Sequence, residues 1–96
     1  MPHTKRKPLF DLGSLVATPG ALAALEKSGQ NAMDFLSRHV TGDWGDIPEE
    51  DREVNGLSLV RGLRLVSTYR TTADDKIWVI TEADRSVTTI LLPEEY

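Results

Sequence analysis

The sequence contains no cysteine, so disulfides, thiolate nucleophiles and cysteine-ligated zinc are excluded. It also lacks any apolar run near the ~20 residues that a membrane helix needs, and we expect no contact with a membrane. The basic residues Lys5, Arg6 and Lys7 are followed by Pro8 and polar positions, which is unlike a secretory signal. These absences favour a protein of the reducing cytoplasm whose fold depends on its core alone.

Aromatic residues and net charge are also scarce. Only 6% of the 96 residues are aromatic, and fifteen acidic residues against eleven basic ones give a formal net charge of −4. A weak acidic surplus does not favour a nucleic-acid partner, because proteins of that class usually carry a basic surplus. Six acids and one arginine occupy residues 43–53, whereas residues 61–76 hold four basic and two acidic residues. We interpret this contrast as a solvated face, or as one segment docking on the other within the monomer.

Local signals divide the chain into a flexible polar tail at residues 1–8 and a single domain at residues 9–96. The domain opens with a short extended segment over 9–17 that Gly13 interrupts. The length allows one modest core, and we expect marginal stability.

Capping signals predict helices after the extended segment. Thr18 before Pro19 is typical of a helix start, and Gly29 can end that first helix. Asn31 can cap a second helix, which Gly42 stops.

A third helix is predicted to enter at residues 47–51, where a proline and three acids occupy the first turn, and to close at Gly62. Val54, Leu57 and Val60 are three residues apart, which predicts a buried apolar stripe.

Beyond the third helix the pattern changes to runs typical of strands. The runs at 63–69, 76–81 and 87–92 are rich in Val, Ile, Thr, Tyr and Trp and are separated by turn residues. They predict a three-stranded antiparallel meander in which Trp78 lies opposite Leu91 and Ile80 opposite Thr89. The fold class is therefore α+β, with two or three short helices before a meander that an N-terminal strand can extend.

The loop after the second helix holds the first candidate site. His39, Asp43 and Asp46 are residue types that bind zinc or a hard cation, and His39 can act as a general base. No second histidine lies nearby, so the pattern favours a structural interpretation. On that interpretation His39 ends the helix, Trp44 fills the core and the two aspartates accept hydrogen bonds from backbone amides. We expect no bound metal and no cofactor.

A second candidate site lies at the hairpin between the last two strands. Glu82 and Arg85 can join the first candidate residues in an acid–base constellation, whereas Asp84 is explained by turn chemistry. A charged surface hairpin with a structural role is the favoured interpretation.

The third candidate is a binding surface on the sheet, formed by Arg64, Tyr69, Arg70, Trp78 and Leu91. Aromatic and arginine side chains on a sheet can stack single-stranded bases. The recognition signature of an RNA-binding sheet is absent, so core packing or a protein partner is favoured over a nucleic acid.

Self-association is a further expectation, because both faces of the meander carry apolar residues and one layer of helices covers only one face. The last strand ends at Leu91, Leu92 and Pro93, and we expect it to form the edge through which two copies pair. Pro93 limits open-ended pairing and favours a closed homodimer. The alternative is that residues 9–17 fold back over the second face or the edge and leave a monomer.

Two stretches resemble a known group of proteins. They are Arg-His-Val-Thr-Gly-Asp-Trp-Gly at 38–45 and Trp-Val-Ile-Thr-Glu-Ala-Asp-Arg-Ser-Val-Thr-Thr-Ile-Leu-Leu-Pro at 78–93. Both are similar to segments of small, uncharacterised bacterial proteins of plasmids and other mobile elements. Some members carry the label "plasmid-related protein" or "type I restriction endonuclease subunit M". The resemblance implies a link to mobile-element biology, such as interference with restriction or host defence, and implies no activity of individual residues.

These observations support one leading hypothesis and two alternatives. The leading hypothesis is a small non-catalytic module that binds another protein, of unknown identity, or a second copy of itself. The first alternative is a metal-assisted hydrolase or nuclease that uses His39, Asp43, Asp46, Glu82 and Arg85. The second alternative is a weak single-stranded nucleic-acid binder that uses the sheet surface.

Overall fold

A computed structural model describes residues 7–96, which form three helices and a four-stranded mixed sheet. The elements in chain order are β1 (Ser14–Ala17), α1 (Pro19–Ser28), α2 (Met33–Val40), α3 (Glu49–Arg61), β2 (Leu65–Arg70), β3 (Lys76–Thr81), β4 (Val87–Leu91) and a short 3-10 turn (Pro93–Glu95). This arrangement confirms the α+β class. Most of the predicted tail at residues 1–8 lies outside the described residues.

The sheet order is β1-β4-β3-β2, so the predicted antiparallel meander β2-β3-β4 has a fourth strand added at one side. The added strand β1 runs parallel to β4, and the sheet is therefore mixed. The expectation that β4 forms an edge is wrong, because the segment before α1 pairs with it. The register of the meander is the predicted one, with Trp78 opposite Leu91 and Ile80 opposite Thr89.

The helix boundaries follow the capping residues. The Thr18 hydroxyl accepts a hydrogen bond from the Ala21 amide at 3.3 Å, and Gly29 ends α1 in the left-handed conformation. Asn31 and Asp34 exchange side-chain to backbone hydrogen bonds at the start of α2, as in a capping box. Local hydrogen bonding thus determines where the helices begin and end.

Side chains alternate between two faces of the sheet. The face covered by α1 and α2, here called the helix face, carries the apolar core together with three polar residues. It presents Leu65, Ser67, Tyr69, Ile77, Val79, Thr81, Thr88 and Ile90 to Ala21, Ala24, Leu25, Phe35 and Leu36. The opposite face, here called the second face, carries Val66, Thr68, Trp78, Ile80, Thr89 and Leu91.

Tyr69 does not share a surface with Trp78 and Leu91, so the predicted stacking surface is wrong. Tyr69 lies on the helix face, almost fully buried, and its hydroxyl donates to the Asp43 carbonyl at 2.5 Å. The Arg38 guanidinium lies 4.5 Å from the centroid of the Tyr69 ring. The prediction had placed residues of opposite faces of the sheet on one surface.

The outer edge of β2 is closed by two neighbouring segments. The Asn55 amide donates to the Val66 carbonyl at 2.8 Å and accepts from the Val66 amide at 3.2 Å. Two residues further along β2, Thr68 forms a parallel bridge with Gly45. Gly45 has φ of 74°, and a Cβ there would lie 1.9 Å from the Thr68 carbonyl oxygen, so only glycine fits. The chain thereby satisfies this edge with its own groups.

The expected buried stripe on α3 is wrong. Val54, Leu57 and Val60 are 56%, 47% and 84% exposed, and the buried residues of α3 are Asn55 and Ser58. A strand edge offers open hydrogen-bonding groups instead of apolar surface, so the polar side of α3 is the side that docks on it.

We predict that Asn55→Ala lowers the free energy of unfolding by about 2–4 kcal/mol, because it leaves the Val66 amide and carbonyl without partners. The control is Ser58→Ala on the same buried side, since that hydroxyl bonds only the Val54 carbonyl of its own helix. Urea unfolding of both variants measures the difference. Equal losses in the two variants would contradict the edge-closing role of Asn55.

Trp44 is buried as expected, and it stacks on Phe10 with ring centroids 6.2 Å apart. We predict that Trp44→Ala costs about 3–5 kcal/mol, enough to unfold much of a marginal domain. Trp78→Ala is the matched control and removes only about 1–2 kcal/mol, because Trp78 is partly exposed. Thermal melts followed by circular dichroism compare the two, and a near-native melt for the Trp44 variant would contradict the anchoring role.

Candidate functional site

His39 is the most unusual side chain of the molecule, because it is a histidine with no exposed surface. The last turn of α2 aims it at the helix face of the sheet. Its Nδ1 lies 2.6 Å from the Ser67 hydroxyl, and its Nε2 lies 2.9 Å from the Thr81 hydroxyl. The Thr81 hydroxyl is 2.7 Å from the Thr88 hydroxyl, which donates to the Leu12 carbonyl at 2.7 Å.

The directions of the hydrogen bonds from Thr88 back to Nε2 of His39 follow from the last member of the chain, the Leu12 carbonyl. A carbonyl oxygen only accepts, so the Thr88 proton points to Leu12 and Thr88 must accept from Thr81. Thr81 has then used its proton and accepts from Nε2–H of His39. Complete burial favours the neutral imidazole. Its one proton is then on Nε2, and Nδ1 accepts from the Ser67 hydroxyl.

Aromatic rings close the site from the side of the N-terminal segment. Phe10 meets the imidazole edge to face at a centroid distance of 5.2 Å, and Trp44 does so at 5.7 Å. Burial, assisted by the positive charge of Arg85, lowers the pKa of His39 to about 4. His39 does end α2 as expected, but as a neutral core residue and not as a cation at the helix terminus.

The Ser67 hydroxyl and the His39 nitrogen have the arrangement of a nucleophile and its base. Neither side chain has measurable exposed surface, and no opening leads from solvent to the Ser67 oxygen. The hydrogen bonds of Ser67 and His39 therefore stabilise the fold and do not form an accessible catalytic site.

The other catalytic candidates are each held by a separate partner. Asp43 forms an ion pair with Arg38 at 2.7 Å, and the hydrogen bond from that guanidinium lowers the pKa of Asp43. Glu82 pairs with Arg64 at 3.3 Å.

Arg85 donates to the carbonyls of Ser58 at 3.1 Å and Leu63 at 2.6 Å, so its guanidinium ties the β3–β4 hairpin to the end of α3. Asp46 is exposed. Within residues 7–96, no three His, Asp or Glu side chains lie close enough to hold one metal ion.

A groove of about 540 Å³ lies between α3 and the second face. Its lining is mostly apolar and comprises Asp46, Ile47, Pro48, Asp51, Val54, Asn55, Ser58, Leu63, Arg64, Val66, Thr68 and Trp78. Of the predicted binding residues, Arg64 and Trp78 lie on this groove. Arg70 pairs with Asp74 at 3.1 Å, Leu91 is buried, and Tyr69 is in the core.

The C-terminal residue contacts two of the residues that line the groove. The Tyr96 ring meets Trp78 edge to face at a centroid distance of 5.6 Å, and Arg64 donates to the Tyr96 hydroxyl at 2.9 Å. The second face is thus covered in part by α3 and the C-terminal residues, whereas the sequence predicted cover by a second copy or by residues 9–17.

Comparison of the chain with protein-family models, curated proteins and solved structures found no match. Within the part of the chain that the structure describes, no helix is both long enough and apolar enough to cross a membrane.

The partners of His39 were missed at the level of sequence, although a signal was present. Ser67, Thr81 and Thr88 each occupy an inward position of a strand, between or beside apolar residues of the same face. His39 lies four residues after Phe35, on the buried side of α2. Polar residues at inward positions of three strands, together with a histidine on the facing helix, indicate a buried polar cluster.

The pKa of His39 predicts a loss of stability in mild acid. The unfolded chain binds the proton from about pH 6.5 downward, while the folded protein resists until about pH 4. The contribution of neutral His39 to the free energy of unfolding is therefore fully present above about pH 7. The free energy of unfolding falls by up to about 3 kcal/mol as the pH is lowered from about 6.5 to about 4. Urea unfolding at about pH 7 and pH 4.5 measures the change.

The comparison uses two variants. His39→Gln should remove most of this pH dependence, whereas His3→Ala, in the part of the chain outside the described residues, should keep it. A wild-type stability that does not change across this range would contradict the assignment, as would an unchanged slope in His39→Gln.

Proposed function

We propose that this chain is a non-catalytic interaction module that holds a basic, amphipathic segment of a partner protein in the groove between α3 and the second face. The observation that carries the proposal is the apolar side of α3 left open to solvent beside an apolar groove. A helix that packs only within its own domain places such residues inward.

The open side of α3 is continuous with the groove. Successive residues of a helix are rotated by about 100°, so Val54, Leu57 and Val60 follow one another around the helix in steps of about 60°. Val54 lines the groove and Leu57 lies one step further around on the exposed side, whereas Val60 points away from the groove into solvent.

The charge beside the groove selects a basic partner. The segment from Asp46 to Glu53 contains five acids and one arginine. That arginine, Arg52, donates to the Gly45 carbonyl at 2.7 Å, and Arg64 on the opposite wall pairs with Glu82. Negative charge therefore dominates this side, which is complementary to lysine and arginine side chains of a partner.

The alternatives have less support from the described residues. A metal-assisted hydrolase needs a cluster of ligands that the geometry of residues 7–96 does not supply. A stacking surface for single-stranded bases needs Tyr69, which is in the core. The proposal places the module in the cytoplasm and, on the resemblance described above, in the biology of bacterial mobile elements.

We predict that a synthetic amphipathic peptide of leucine and lysine at helical spacing binds the protein and changes the fluorescence of Trp78. Val54→Lys should lower the affinity at least about tenfold, because it puts a charge into the apolar contact and adds repulsion. The control is Leu22→Lys on α1. Leu22 is 55% exposed, similar to Val54, and the substitution changes the net charge by the same amount.

Fluorescence titration at two salt concentrations measures binding, and the matching leucine–glutamate peptide tests the sign of the charge. Equal affinity of the two variants would mean that the peptide responds only to net charge and would overturn the groove as the site. Binding of the acidic peptide as tightly as the basic one would overturn the basic partner.

A further inference from the structure

The two edges of the sheet differ in how their backbone groups are satisfied. The edge at β2 is closed by Asn55 and Gly45, as described above. At the other edge, β1 pairs with β4 on one side, and its other side faces away from the sheet. The Ser14 amide donates to the Ser86 carbonyl at 2.9 Å, and the Thr18 amide donates to the Ile90 carbonyl at 3.0 Å.

Backbone groups alternate in direction along a strand, so the amides and carbonyls of Leu15 and Ala17 point away from β4. No other element of residues 7–96 pairs with this side of β1. Two devices that usually protect an edge are also missing, since β1 contains neither proline nor a charged residue; its length of four residues limits the open edge to two residues. From Leu12 to Gly20 the sequence carries no charge at all.

We propose that β1 pairs antiparallel with β1 of a second copy of this chain, in a register centred on Val16. Leu15 then lies opposite Ala17 of the second copy, and Ala17 opposite its Leu15. Each pair exchanges two hydrogen bonds, so all four open groups of each strand find a partner. The two-fold axis passes between the Val16 residues, which form a close pair without hydrogen bonds, a favourable position for β-branched side chains.

The side chains at this edge also need cover. Leu15 and Val16 are about half exposed, at 53% and 49%. Leu15 borders a second groove, of about 720 Å³, together with Phe10, Leu12 and Met33. In the proposed register the small side chain of Ala17 from the second copy approaches Leu15, so the pairing buries apolar surface of both copies.

A second copy fits better than an unrelated strand, because the register satisfies the open groups of both strands at once. It also explains why association stops at two chains. The combined sheet ends on each side in β2, whose edge is already closed, and a closed pair results instead of a fibre. Homodimerisation was expected at the Leu91 end of the meander, but there β4 is an interior strand. The interface is small, and we expect a weak dimer.

Cross-linking tests the register directly, because the natural chain has no cysteine. Residues of a pair without hydrogen bonds have Cα atoms about 4.5 Å apart, within the range that a disulfide spans. Val16→Cys should therefore form a covalent dimer under mild oxidation at least about tenfold faster than Val60→Cys. Val60 is more exposed, at 84%, but lies on α3. Equal rates would overturn the proposal.

Light scattering provides the second measurement. The mass of the wild-type protein should rise from one chain toward two between about 5 and 500 µM. Leu15→Pro removes only an amide that points outward, a change that edge strands tolerate, and should keep the protein monomeric. Tryptophan fluorescence checks that this variant is folded. If it is unfolded, the cross-linking rates of Val16→Cys and Val60→Cys test the proposal instead.

A mass of one chain at every concentration would overturn the proposal. So would a dimer that survives in folded Leu15→Pro, since its interface would lie elsewhere. Loss of the dimer in Val54→Lys but not in Leu15→Pro would place self-association on α3.

Discussion

One run of buried hydrogen bonds, from the Ser67 hydroxyl through His39, Thr81 and Thr88 to the Leu12 carbonyl, joins five parts of the chain. It connects β2, α2, β3, β4 and the segment before β1. Thr81, Thr88 and His39 each donate one hydrogen bond and accept another, and removing any of them leaves a buried neighbour unsatisfied at a cost of about 1–3 kcal/mol. The pairing of the strands depends on it as well, because a slip of any one of the three strands by one residue would turn its hydroxyl-bearing side chain to the other face.

The same polar run explains how the N-terminal segment is held. The segment contributes Phe10 over the imidazole and the Leu12 carbonyl as the last acceptor, and it continues directly into β1. A neutral His39 is a condition of this arrangement, because its Nδ1 must accept a proton from Ser67. The open edge at β1 is therefore positioned by a fully buried histidine and its hydrogen bonds.

Features that depend on local chemistry could be predicted from the sequence. The caps at Thr18 and Gly29, the register of the meander and the burial of Trp44 need only neighbouring residues or the alternation of side chains along strands. Features that depend on a distant partner could not. The role of Asn55 follows from the open edge of β2, and the sequence contains no local sign that α3 packs against an edge instead of a face.

For α3, two rules competed, and the cost of unpaired backbone groups decided between them. Apolar spacing favoured burial of Val54, Leu57 and Val60, each worth about 1.5–3 kcal/mol if fully buried. Docking through Asn55 instead satisfies an amide and a carbonyl that would otherwise lie unpaired beneath the helix. The helix closes one edge of the sheet at the expense of leaving its apolar side in water. That exposed side and the open edge at β1 lie at opposite ends of the sheet and offer different chemistry. In the two proposals the exposed side of α3 binds through side chains and charge, so its affinity depends on salt, whereas the edge at β1 binds through backbone groups and depends on salt far less.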